Sequence, residues 1–183
     1  MKSKKLWIGL AILALLLVVA FFYLNYRNRK LSPPGEETLT SGGMTVSVSY
    51  SRPSVRGRLI FGPEDQDALQ PFGEYWRLGA NEGTEISFNR DILFNGSPVK
   101  AGTYRMYAIP GPTSFEMVLS TAVGDWGAGE PDPEQDVVRT KVQTQKTTSA
   151  VEQFTISLAP QGDGVQMIFE WSDTRFVVPL KVP

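Results

Sequence analysis

From Leu6 to Leu24 the chain runs for nineteen positions without a charge, every residue apolar, tyrosine or glycine. At about 1.5 Å of rise per residue, such a helix matches the ~30 Å thickness of a bilayer's hydrocarbon layer. A helix that is apolar on every face has no side to turn toward water, so lipid is the environment that suits it. Trp7 at one end and Phe21, Phe22, Tyr23 and Tyr26 at the other fit the two membrane interfaces. A signal peptide has a shorter apolar region followed by a small-residue cleavage site. Here Ala20 precedes bulky Phe21-Phe22-Tyr23, and no cysteine exists to carry a lipid. The expectation is a short basic N-terminus (1–5) and an uncleaved, single-pass transmembrane signal anchor (6–26). Lys2, Lys4, Lys5 and the α-amino group slightly outweigh Arg27, Arg29 and Lys30. That asymmetry puts the N-terminus inside and the following domain in the periplasm or outside the cell.

The rest of the chain is different in character. All six basic residues before position 31 flank the apolar run, which leaves twelve basic against nineteen acidic residues beyond it, a net of −7. An acidic balance argues against nucleic acid as a partner. The chain has no Cys and no His. Disulfides are therefore impossible, the usual zinc, copper and haem ligands are missing, and hydrolysis by a Ser-His or Cys-His pair is excluded. No cofactor is implied.

Residues 27–43 read as a linker, since Pro33-Pro34 blocks a helix and Gly42-Gly43 has no side chains to bury. From 44 to 183 the pattern is that of a β domain. Met44, Val46, Val48 and Tyr50 alternate with Thr45, Ser47 and Ser49, the period of a half-buried strand. Similar alternation recurs around 56–61, 84–89, 92–94, 103–109, 115–119, 137–147, 151–158, 165–171 and 175–182. Asn95-Gly96 is a strong hairpin signal. One short helix is expected between Glu64 and Leu69. Many short alternating strands predict an all-β antiparallel β-sandwich, with a partly closed β-barrel as the alternative.

The densest polar segment is Tyr75-Trp76-Arg77-Leu78-Gly79-Ala80-Asn81-Glu82-Gly83-Thr84. Arg77 and Glu82 are close enough to pair, Asn81 suits a turn, and Trp76 is placed to shield the pair. Read functionally, this is a small pocket. Arg77 and Asn81 would bind an anionic or carbonyl group, Trp76 or Tyr104 would stack on a ring, and Glu82 is the candidate acid or base. Read structurally, it is an ion pair fixing a loop. Arg52, Arg56 and Arg58 form either an anion-binding rim or a solvated face. Trp126, beside Asp125 and Gly127, is either a stacking platform for a ligand or a plug over the core. The acidic loop 130–136 lacks the ligand spacing of a dedicated calcium loop, so no metal site is expected.

Several stretches resemble a bacterial family of unknown function, DUF2911. They are Ser51-Arg52-Pro53-Ser54-Val55-Arg56-Gly57-Arg58-Leu59-Ile60-Phe61-Gly62, Pro71 through Glu82, Ala101-Gly102-Thr103-Tyr104, Ile109-Pro110-Gly111, Trp126-Gly127 and Phe169-Glu170-Trp171. The likeness spans nearly all of 44–182, and Trp-Arg-x-Gly-Ala-Asn-Glu is its most specific element. The resemblance implies an exported protein, usually behind a cleavable signal peptide, from which the longer apolar run here departs. It supplies no substrate, cofactor or catalytic residue.

Three kinds of function fit these readings. A non-enzymatic domain of the cell envelope that binds a small ligand or an envelope protein is favoured by the absence of a nucleophile with its base. A structural subunit of a membrane-associated assembly is compatible with the tether. An enzyme is the alternative, with a small polar cleft built around Arg77, Asn81 and Glu82.

Overall fold

The computed structural model of the protein describes residues 2–124 and 127–183. It opens with helix α1 (Lys2–Leu31), of which Lys5–Leu31 is long and apolar enough to cross a membrane and is not buried against the rest of the chain. A helix of this kind near an N-terminus fits a membrane anchor or a signal sequence.

Strands β1 (Pro34–Ser41) and β2 (Met44–Ser51) form an antiparallel hairpin that closes on Ser41 and Met44. Much of the segment expected as a linker is thus an edge strand. Gly42 and Gly43 both have positive φ, 56° and 75°, the backbone a two-residue hairpin turn demands. Edge position also explains why β1 was hidden in sequence: Glu36, Glu37, Thr38 and Thr40 face solvent, so no apolar alternation marks it.

Next come the two-residue strands β3 (Phe61–Gly62) and β4 (Gln70–Pro71), paired with each other, and a single 3-10 turn at Glu64–Gln66 where a longer helix was expected. The remaining strands are β5 (Thr84–Phe88), β6 (Ile92–Phe94), β7 (Ser97–Val99), β8 (Gly102–Ile109), β9 (Ser114–Ser120), β10 (Asp136–Gln161) and β11 (Gly164–Lys181). Asn95 and Gly96, both at positive φ, make the β6–β7 turn as their sequence predicts.

Nine strands form one antiparallel sheet in the order β1-β2-β5-β8-β9-β10-β11-β6-β7. Strand β10 is the hinge. Its first part, Asp136 to Gln143, pairs with β9, and from Thr144 onward it pairs with β11. The sheet thereby folds over on itself into the two layers of a sandwich, and no closed barrel forms. Pairs of strands expected near 137–158 and 165–182 are in fact the single long strands β10 and β11. Register shifts around Val151, and Ser172 at φ 55°, absorb the irregularities that interrupt their alternation.

Both layers feed one core. From the first come Val46, Val48, Ile86, Met106, Met117 and Leu119, and from the second Phe154, Ile156, Met167, Phe169, Phe176 and Val178, all almost fully buried. An aromatic cluster fills its centre. Trp76 and Trp171 stack at 5.8 Å, with Phe61, Phe115 and Phe154 edge-on to Trp76. Tyr50 of β2 ties the layers together: its hydroxyl donates to Ile156 O (3.1 Å) and accepts from Ile156 N (2.9 Å).

Candidate functional site

The polar motif lies on a loop bent tightly around the end of β2. Trp76 exchanges two backbone hydrogen bonds with Ala108 of β8, at 2.8 and 2.9 Å, which seats its indole in the core. Leu78 is buried too, so the intervening Arg77 is turned outward. Leu78, Gly79 and Asn81 have φ of 54°, 149° and 59°. Thr84 Oγ1 holds this bend by donating to Leu78 O at 2.6 Å. Gly79 lies so close to β2 that a Cβ there would sit 2.6 Å from Ser51 O.

This bend separates the expected trio. Arg77 Nη1 donates to the backbone carbonyl of Asn81 (3.0 Å), and Asn81 Nδ2 reaches Ser32 O at the end of α1 (3.3 Å). Glu82 instead pairs with Arg29 of α1 at 2.6 Å, both side chains about half-exposed. The pairing of Arg77 with Glu82 expected from their spacing is therefore not formed. The left-handed turn at Asn81 hands Arg77 a nearer acceptor, and α1 supplies Glu82 with a different cation.

Arg77 and Asn81 line a cleft of about 360 Å³ between the domain and the end of α1. Arg56, Arg58, Gln70 and Trp171 complete it from the domain, and Asn28, Leu31 and Ser32 from the helix. Glu82 lines a separate depression of about 180 Å³ with Arg29, Glu36 and Tyr50. Among the described residues no carboxylate lines the larger cleft. The guanidiniums of its arginines bond to carbonyls, while the Arg56 backbone N–H donates to Glu152 Oε1 at 3.0 Å. Arg56 donates to Leu31 O (2.8 Å), and Arg58 to Val55 O and Ser54 O (3.0 and 2.6 Å). Arg52, expected beside them, is turned to β10, where it donates to Thr155 Oγ1 at 3.1 Å.

The other predicted residues lie elsewhere. Trp76 is 1% exposed and has no face for a ligand. Tyr104 is buried beside Phe88, with its hydroxyl on Lys100 O at 3.0 Å. Trp126 lies outside the described residues. Gln70 and Trp171 were missed. Trp171 closes one of the family-like segments, whereas Gln70 falls just before another, and neither lies within the motif. Among the described residues no group of three or more His, Cys, Asp or Glu is arranged to hold a metal.

A second polar cluster sits on the outer face of β8, where Arg105 and Tyr107 alternate with the core residues Met106 and Ala108. Tyr107 Oη donates to the Asp136 carboxylate (3.0 Å), and Arg139 bonds Asp136 (2.8 Å), Glu116 (3.0 Å) and Tyr107 Oη (2.9 Å). Nearby, buried Arg105 donates to the Tyr75 hydroxyl and to Gly129 O. Among the described residues these groups bond chiefly to one another, which suits a brace. Burial, then the hydrogen bond and charge of Asp136, push the Tyr107 phenol well above its usual range. Burial raises Tyr50 and Tyr75 as well. A raised folded pKa contributes stability that is intact below the unfolded value, about 10, and is lost as pH climbs toward the folded one. Urea midpoints are thus expected to fall as pH rises above about 10, with a shallower slope in Tyr107→Phe. A midpoint that is flat across this range would show that these phenols ionise freely in the fold.

Comparison with curated proteins and with solved structures returns no match. A family profile, described as a protein of unknown function (DUF2911), matches residues 32–180. The match takes in β1, the motif loop, the three cleft arginines and most of β11, so the likeness reaches through both layers of the sandwich. The chain belongs to the DUF2911 family.

Proposed function

We propose that the protein is a binding module without catalytic activity, tethered by α1 as a single-pass anchor with the sandwich in the periplasm or outside the cell. The cleft beside the end of α1 is its binding site. The observation that carries this reading is the cleft's lining: three guanidiniums, an asparagine and a glutamine, with no carboxylate among them. Such a set offers hydrogen-bond donors and positive charge but no general base. Acid–base catalysis needs a group that takes and returns a proton beside the substrate. Glu82, the carboxylate nearest in sequence, is in another depression and is held by Arg29.

Native mass spectrometry of the full-length protein released from its membrane tests the binding role. A small molecule is expected to stay bound in the wild type and in Glu82→Gln, and to be lost in Arg77→Gln. A bound molecule that accumulates only in Glu82→Gln, and is turned over by the wild type, would make the protein an enzyme instead.

The side of the membrane has its own test. Because the chain has no cysteine, a single Cys at exposed Lys100 reports alone. A membrane-impermeant thiol reagent is expected to label Lys100→Cys in cells whose inner membrane is intact. Labelling only after that membrane is opened would place the domain in the cytoplasm.

A further inference from the structure

We infer that the cleft holds a phosphate group, and that in the tethered protein this is the phosphate of a lipid headgroup. The inference rests on the binding role proposed above and names the ligand class for that same site.

Charge is the first argument. The chain beyond α1 carries a net −7, yet this one cleft gathers Arg56, Arg58 and Arg77, and among the described residues no carboxylate lines it, Glu152 reaching only the Arg56 backbone N–H. None of the three makes an ion pair among the described residues, and each keeps N–H donors that no protein acceptor takes. Planar guanidiniums match the oxygens of a phosphate, and an unpaired group of them attracts an anion. The carbonyls at the end of α1 would repel one, but Leu31 O and Ser32 O are already engaged by Arg56 and Asn81. Trp171, a further lining residue, has a buried indole N–H without a partner.

Position is the second argument. The apolar run ends at Leu24, and the helix residues lining the cleft are Asn28, Leu31 and Ser32. At about 1.5 Å per residue they stand roughly 6–12 Å beyond the hydrocarbon edge. The headgroup layer is about 5–8 Å deep on each side of the bilayer. The cleft therefore begins at headgroup depth, where a lipid phosphate is the most abundant anion.

The test uses the full chain in maltoside micelles, which contain no phosphate, and reads backbone hydrogen exchange at 53–58 and 77–83. One arm adds inorganic phosphate, another phosphatidylglycerol. Protection by phosphatidylglycerol at far lower concentration than by phosphate is the expected result. Its half-effect concentration should rise about tenfold or more in Arg77→Gln, the cost of losing a charge-assisted hydrogen bond. Since Arg77 also braces the loop, the double variant Arg56→Gln/Arg58→Gln, at two exposed positions, should shift it likewise. Equal or better protection by inorganic phosphate keeps the phosphate site but overturns the lipid source. Protection by neither, or protection unchanged in the double variant, overturns the phosphate assignment. A different small molecule found by mass spectrometry and lost in Arg77→Gln would then leave the binding role standing alone.

Discussion

Trp76→Ala is expected to lower the unfolding free energy by about 3–5 kcal/mol, the range for emptying a large aromatic site in a packed core. The indole is 1% exposed, and its ring lies within 6.3 Å of those of Phe61, Phe115, Phe154 and Trp171. These neighbours come from β3, β9, β10 and β11, so no single strand can shift to fill the hole without disturbing both layers. Little hydrogen bonding offsets or adds to the loss, because the indole N–H has no partner in the wild type. Domains of this size have about 5–15 kcal/mol in total, and the variant should be near the edge of unfolding at 37 °C. Urea denaturation followed by far-ultraviolet circular dichroism measures it. A loss below about 1 kcal/mol would mean the aromatic cluster collapses onto the gap, contrary to the packing described.

The second large effect is expected at Gly79. Alanine there must hold φ near 149° and push a methyl group to 2.6 Å from Ser51 O. Backbone strain of this kind costs about 1–3 kcal/mol and overpacking a similar amount, so about 2–6 kcal/mol in all. Gly73→Ala is the control. Its φ is 84°, but nothing lies within 4 Å of the added Cβ, so only the conformational cost of about 1–2 kcal/mol remains. The difference between the two variants isolates the collision. Because Ser51 ends β2 and Arg77 and Asn81 flank Gly79, the same substitution should also speed hydrogen exchange at 77–83. Equal destabilisation by the two variants would show that β2 yields to the methyl group.

Strands with one buried face announce themselves in sequence. Met44 to Tyr50, Thr84 to Phe88 and Val165 to Trp171 alternate because each has a core side and an outer side, and the structure places them so. Edge strand β1 has no such contrast, and its two glycines read equally well as a flexible joint and as a tight turn. The continuity of β10 and β11 was hidden for another reason. Register shifts and a left-handed Ser172 break the alternation without breaking the strand. At the candidate site, composition and spacing pointed to Arg77 and Asn81 but paired Arg77 with the wrong group. The side chain that takes Glu82 is Arg29, more than fifty residues earlier on α1, and no local pattern encodes a contact of that separation. Trp76 was assigned to the pocket on chemical type, whereas its backbone bridge to β8 turns it inward.

The pairing of β6 with the C-terminal end of β11 bears on how the molecule is made. Hairpin β6–β7 can form from local residues, but its place in the sheet depends on Phe94 and Leu93 meeting Leu180 and Lys181 of β11. A chain emerging from its N-terminal end therefore exposes this hairpin while the next 86 residues arrive, the separation of Phe94 from Leu180. Until then both of its long sides are open to pairing with another strand. Pro98 on the outer strand β7 has no N–H to offer such a neighbour. One proline on the outermost strand thus guards a vulnerability that the late arrival of β11 creates.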